Sequence, residues 1–320
     1  MKKLCLALLL CACCSASAKA GEDLGTDVGI AFVPSTNWAS GQFLSYHEYL
    51  DLDFDTTKFT TYEGSIWHKS GLSLGVKADL DDNFVGRAQK IMGYLGYKRF
   101  MLRMQDGDLR GTARWNGPAA GGPASTSFNS KFSSVDLLMW GKSDFFYGVG
   151  YASYEVPMQV NTEVLNGAGN IVYGNAVYAT NAKVKSYAFL FGFDTMQKAL
   201  RDEASNGFGF WAYTQDRFGV GTLELSDDAV DRAETSNPGR KAMSHNLFSG
   251  MVDYDLTLGM YWTANPKKKA RVALGLGYMF SGEMVVPWGG GQLTDSSQLR
   301  LAPMPYIYRH GVVMKASVKW

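Results

Sequence analysis

YIYRHGVVMKASVKW, residues 306–320, is the stretch that decides the fold. Val312, Met314, Ala316, Val318 and Trp320 fall on one parity, and Lys315, Ser317 and Lys319 on the other. Side chains of a strand alternate between its two faces. This segment is therefore a strand with one apolar face and one polar face. Its apolar row can meet lipid while the lysines and the serine face a polar interior.

An alternating strand closed by an aromatic residue resembles the carboxyl-terminal signature of Gram-negative outer-membrane β-barrel proteins. The likeness is to the architecture, not to one family. It implies an outer-membrane location, contact with outer-membrane lipid, and a role for Trp320 as the assembly signal read by the barrel-assembly machinery. A soluble domain can also end on an amphipathic strand, so the rest of the chain has to agree.

At the other end, Met1-Lys2-Lys3 is a basic start, Leu4 to Cys14 an apolar run, and Ala18-Lys19-Ala20 an A-x-A site before Gly21. That plan is a secretory signal peptide over 1–20, leaving 21–320 as a single barrel domain. The run is too short to span a bilayer as a helix. Leu10-Cys11-Ala12-Cys13 also invites lipidation at Cys13, but the A-x-A site is the cleaner signal.

All four cysteines (Cys5, Cys11, Cys13, Cys14) lie inside this leader, so a chain starting at Gly21 has no disulfide. Its stability must come from elsewhere, and a closed ladder of backbone hydrogen bonds supplies it. Three of the 31 basic residues (Lys2, Lys3, Lys19) precede Gly21, leaving 28 against 30 acidic ones. Nothing there suggests nucleic acid. Mean hydropathy is slightly negative. A barrel hides its membrane signal because only alternate residues meet lipid.

Alternation predicts an all-β transmembrane antiparallel up-and-down barrel of twelve strands with long external loops. The strands expected are 26–33, 59–67, 72–80, 98–105, 109–115, 133–140, 145–154, 183–194, 207–225, 247–262, 270–281 and 306–320. Ala88, Ile91, Met92 and Leu95 have helical spacing and predict one short loop helix over 87–97. Asp106-Gly107-Asp108 predicts a hairpin turn. The stretch 207–225 reads either as two short strands joined at a turn, Thr214-Gln215-Asp216-Arg217, or as one strand. Parity of the short periplasmic turns requires one strand, although Asp216 then shares the face of Phe218 and Val220 and calls for a bulge or a strand tip beyond the membrane.

Asp51, Asp53 and Asp55 have calcium-loop spacing, but Thr56 stands where glycine is needed and Tyr62 where glutamate is needed. They read as an acidic solvated face, and no metal or other cofactor is expected. His47, His68, His245 and His310 are the histidines. Ser244-His245-Asn246 cannot form a triad, because neighbours on a strand point to opposite faces. His310 shares the outward parity of Val312, where a lipid-acting base would sit, and equally fits the interfacial belt with Tyr306 and Tyr308. The expectation is therefore not an enzyme.

Chemistry concentrates in the expected hairpin, where Arg99, Arg103, Arg110 and Arg114 point inward with Arg103 opposite Arg110 and Arg99 opposite Arg114. Opposed like charges need an anion between them. Asp79, Asp136, Asp253 and Asp255 are inward by the same counting and offer a salt-bridge network across the lumen. Alternatively, basic rings in a pore guide anions. The hairpin is similar in kind to the arginine-lined pores of some twelve-stranded channels for acidic oligosaccharides. The resulting expectation is a passive porin-like channel for small or acidic solutes. The alternative is a filled barrel acting through external loops in adhesion or as a structural element.

Overall fold

The structure, a computed structural model, describes residues 28–43, 50–54, 58–68, 70–81, 88–115, 124–141, 144–161, 163–165, 171–173, 177–195, 207–225, 246–267, 270–288, 300–301 and 305–319, together with 231 and 235. The expected leader 1–20, Trp320, His47 and His245 lie outside them.

Twelve long antiparallel strands are described: β1 (Val28–Phe43), β2 (Lys58–His68), β3 (Leu72–Asp81), β4 (Ala88–Tyr97), β5 (Phe100–Trp115), β6 (Ala124–Trp140), β7 (Phe145–Asn161), β8 (Val177–Asp194), β9 (Gly207–Glu224), β10 (Asn246–Lys267), β11 (Ala270–Trp288) and β12 (Pro305–Lys319). Each pairs with its sequence neighbours, and β12 pairs back onto β1, with Gly29 opposite Lys319. The sheet is a closed ring. Closure removes every edge, so each backbone donor and acceptor is met without water.

Burial is inverted relative to a soluble protein. Phe208 and Phe210 are 86% and 84% exposed on the outer face, whereas inward Arg217 is 1% exposed. Outward rows such as Leu72 and Leu74 of β3, Phe145, Tyr147 and Val149 of β7, and Leu256, Leu258 and Met260 of β10 make the apolar band. Inside stand Asp136, Arg103, Ser186 and Thr257, with Leu138, Leu190 and Met279 among them. Together, a closed ring, a lipid-facing band and a polar lumen define an outer-membrane-type β-barrel.

Above the band runs a cross-strand ladder of charges. Asp108 is opposite Lys131, Lys131 lies 3.8 Å from Glu155, Glu155 is opposite Lys183, and Lys183 is opposite Glu224. Signs alternate over five strands. Lys185 adds a 2.6 Å bond to Glu224, just above the Tyr151 and Tyr187 rings. Opposite charges across strands attract, and tyrosines mark a membrane interface.

Twelve strands were expected, yet two of them were read wrongly. Within the expected helix 87–97, residues 88–97 are not helical but form β4, with Leu95 and Tyr97 outward and Lys90, Met92 and Tyr94 inward. Gly93 and Gly96 weaken a helix, and a short apolar run fits both periods. Asp106-Gly107-Asp108 is no turn, because β5 runs straight through it. The true turn is Lys98-Arg99, where Lys98 takes a positive φ of 56° and its N–H donates to Gly71 O at 2.7 Å on the neighbouring turn. One helix became a strand and two strands fused, so the count survived.

Other strands are longer than their alternation suggested. β1 continues past Pro34, whose missing N–H falls where the pairing with β12 skips from Phe32 to Ser35. Leu50–Phe54 is a short strand that pairs with the far end of β5. Glu163–Leu165 and Ile171–Tyr173 form a small hairpin between β7 and β8.

β9 is one strand, paired on both sides without a register shift. No bulge relieves Asp216. Its carboxylate faces outward, accepts a hydrogen bond from Thr214 Oγ1 at 3.2 Å, and lies opposite Phe191 and Tyr254. A charge on the lipid face is costly. Asp216→Leu is expected to raise the unfolding free energy by about 1 kcal/mol, read by urea titration of the barrel in vesicles, with the fold unchanged.

Candidate functional site

The lumen holds the charged groups, and alternation puts them there: an inward position on a strand with a lipid-facing row must be polar or small. Asp136 of β6 is the hub. Arg103 of β5, directly opposite it in register, donates from Nε at 2.9 Å and Nη2 at 2.8 Å to Asp136 Oδ2. Arg217 of β9 donates from Nη2 at 2.6 Å to both carboxylate oxygens. One carboxylate therefore holds two guanidiniums. Gly150 of β7 makes room, since a Cβ there would collide with Asp136 Oδ1. Arg217 Nε stands 4.0 Å from Asp253, and Arg103 Nη1 donates to Gln215 Oε1 on β9.

Further pairs cross the barrel. Lys90 of β4 lies 3.4 Å from Glu283 of β11, and Lys315 of β12 lies 3.9 Å from Asp194 of β8. These are struts between distant walls. Between them two cavities, of about 70 and about 150 Å3, share a waist that includes Lys77, Arg103, Gln215 and Asp255. Lys77, Lys90 and Arg103 come from β3, β4 and β5, and Asp253, Asp255 and Glu283 from β10 and β11. A basic wall faces an acidic one, with Asp79 the exception on β3.

Of the expected inward arginines whose side chains are among the described residues (Arg99, Arg103 and Arg110), one is in the lumen. Arg103 is buried in the lumen. Arg99 is exposed in the Lys98-Arg99 turn. Arg110 is on the outward parity of β5, 3.0 Å from Asp108 in the charge ladder. Arg114 is opposite Asp51 on the short strand Leu50–Phe54. The fused strand is the reason: 103 and 110 have opposite parity on one strand, so they cannot face each other. Asp79, Asp136, Asp253 and Asp255 all line the lumen or its network.

Arg217, Gln215, Lys90 and Glu283 were not singled out from the sequence. Gln215 and Arg217 sat in the tetrapeptide 214–217 that competed as a turn, and Lys90 in the expected helix. Glu283 fell in the stretch 282–301 expected as loop. Their inward parity was the available signal. His310 is on the outer face, its Nδ1 hydrogen-bonded to Tyr278 Oη and its ring stacked on that tyrosine at 5.9 Å.

No protein-family profile matches the chain, and no curated protein matches its sequence. Among solved structures it is similar to the outer-membrane protease OmpT from Escherichia coli, at 10% identity and a TM-score of 0.27, covering 93% of this chain and 99% of that one. It is also similar to a FadL homologue of Pseudomonas aeruginosa, at 9% identity and a TM-score of 0.28, covering 92% and 89%. The β domain of the Bordetella autotransporter Brka gives 11% identity and a TM-score of 0.23, covering 90% and 99%. At such scores the superpositions are loose. The barrel assignment rests on the chain's own strand pairing and inverted burial.

Asp136→Ala leaves two buried guanidiniums without their carboxylate. Breaking a buried pair costs about 3–5 kcal/mol, so the variant is expected to lose that much in urea unfolding. Replacing Arg103, Asp136 and Arg217 together by Met, Leu and Met is expected to recover most of the loss.

Proposed function

We propose that the chain is a narrow passive channel for small polar solutes, exported by its leader and seated in the outer membrane. The observation that carries this reading is the smaller cavity, lined by Lys77 and Arg103 from one side of the barrel and by Asp253 and Asp255 from the other, with Lys90 and Glu283 paired across it. Opposed walls set up a transverse field. Rings or walls of charge in a pore select by sign and favour solutes that can orient in the field. A small solute carrying both signs fits this lumen best.

Acidic oligosaccharides fit it poorly. Their case rested on four inward arginines, and among the described residues only Arg103 of these lines the cavities. The struts Lys90 to Glu283 and Lys315 to Asp194 favour a second reading, a filled barrel working through its loops. A lipid-acting hydrolase draws on His310, whose Nδ1 is engaged by Tyr278, a partner suited to the interfacial belt.

Single-channel recording in a planar bilayer separates the readings. The channel predicts small discrete steps, and Arg103→Gln is expected to move the reversal potential in a salt gradient toward cation preference. Arg110→Gln, on the outer face, is expected to leave it unchanged. A folded, heat-modifiable barrel that never conducts overturns the channel in favour of the filled barrel.

A further inference from the structure

The larger cavity differs in character from the waist above it. Its walls carry the rings of Tyr94, Trp140, Phe146, Trp211 and Tyr213. Three of these rings form one continuous surface, with Trp140 to Phe146 at 4.8 Å and Phe146 to Tyr213 at 6.5 Å, nearly parallel at 27°. Methionines add a soft, polarizable lining, with Met92, Met101 and Met279 all present.

Two glycines keep this space open. A Cβ at Gly75 would collide with the Tyr94 ring, and one at Gly192 with the carbonyl oxygen of Thr214 on the neighbouring strand as well as with the edge of the Phe146 ring. Both rings therefore lie back against the barrel wall. With any larger residue beneath them they would have to move. Removing the side chain under a ring costs backbone entropy in a strand, so the two glycines exchange stability for room.

Room and charge together specify the occupant. The cavity is about 150 Å3, a volume at which a closed cavity accepts benzene. Lys315 Nζ lies 5.6 Å over the Trp211 ring and 3.9 Å from Asp194, the outer limit of an ion pair. An ammonium has three donors, and a distant carboxylate uses them weakly. Arg103 closes the cavity toward the waist.

We infer that this cavity binds a small aromatic carboxylate, its ring held between Tyr94 and the Trp140, Phe146 and Tyr213 surface and its carboxylate on Lys315. Aromatic rings favour offset and tilted partners, which these walls offer on two sides. The carboxylate takes a free donor of the Lys315 ammonium in a direct charge-assisted hydrogen bond, beside the Asp194 contact. The inference rests on the lumen being open to small solutes, as the channel reading requires, but not on passage through it.

Calorimetric titration of the refolded full chain in detergent micelles tests it, with benzoate, acetate and benzylamine as probes and empty micelles as the blank. Benzoate is expected to saturate one site, with acetate and benzylamine at least tenfold weaker. Lys315→Gln and Gly75→Ala are each expected to weaken benzoate about tenfold while keeping the heat-modifiable fold. Acetate binding as well as benzoate overturns the aromatic cage, and benzylamine binding as well overturns the role of Lys315. Benzoate heats equal to the micelle blank overturn the site altogether, using the unmodified chain alone. A barrel that conducts without binding benzoate loses this site and keeps the channel; one that binds benzoate without conducting loses the channel and keeps the site.

Discussion

Everything in this barrel depends on one constraint: a backbone that crosses lipid must satisfy its own hydrogen bonds. Pairing β12 with β1 meets it, because a ring has no edge. The remaining features follow from closure. A closed sheet has an inside and an outside, and side chains alternate between them at every residue. Lipid claims one set. The other set is left to make a polar interior, where Asp136, Arg103 and Arg217 meet at 2.6 to 2.9 Å.

Inside, cost and gain are balanced locally. A carboxylate and two guanidiniums out of bulk water are expensive unless each is paired and hydrogen-bonded. Asp136 is 0% exposed, and it is supported by arginines from strands on either side of it. Among the described residues, Arg217 Nε and Nη1 find no hydrogen-bond acceptor, although Asp253 stands 4.0 Å from Nε. Such an arrangement suits a wet interior.

Much of the fold was legible because alternation is a strong signal where both faces are demanding. The rows 72–80, 183–194, 247–262 and 270–281 could be read directly. Parity of the turns held β9 together against the turn-like Thr214-Gln215-Asp216-Arg217. Two local signals misled: helical spacing in 87–97 and the turn propensity of Asp106-Gly107-Asp108. Both lost to tertiary pairing, since β4 is held by β3 and β5, and Gly107 lies opposite Lys90 and Phe132 on its two neighbours. The lumen aspartates were legible from parity alone, but the arginine cluster was not, because it depended on the false turn. Which inward groups touch across the barrel is set by closure, a property no single strand carries.

The opposition of Arg103 and Asp136 also bears on assembly. A slip of one residue between β5 and β6 turns every apolar side chain inward, and lipid forbids it. A slip of two is subtler, since it leaves all faces correct. It would set Asp136 against Met101 or Gln105, stranding a carboxylate in the wall and separating it from the arginine it needs. Greasy alternation thus rejects odd errors and the buried ion pair rejects even ones, so that the two together act as a parity check on the registration of neighbouring strands.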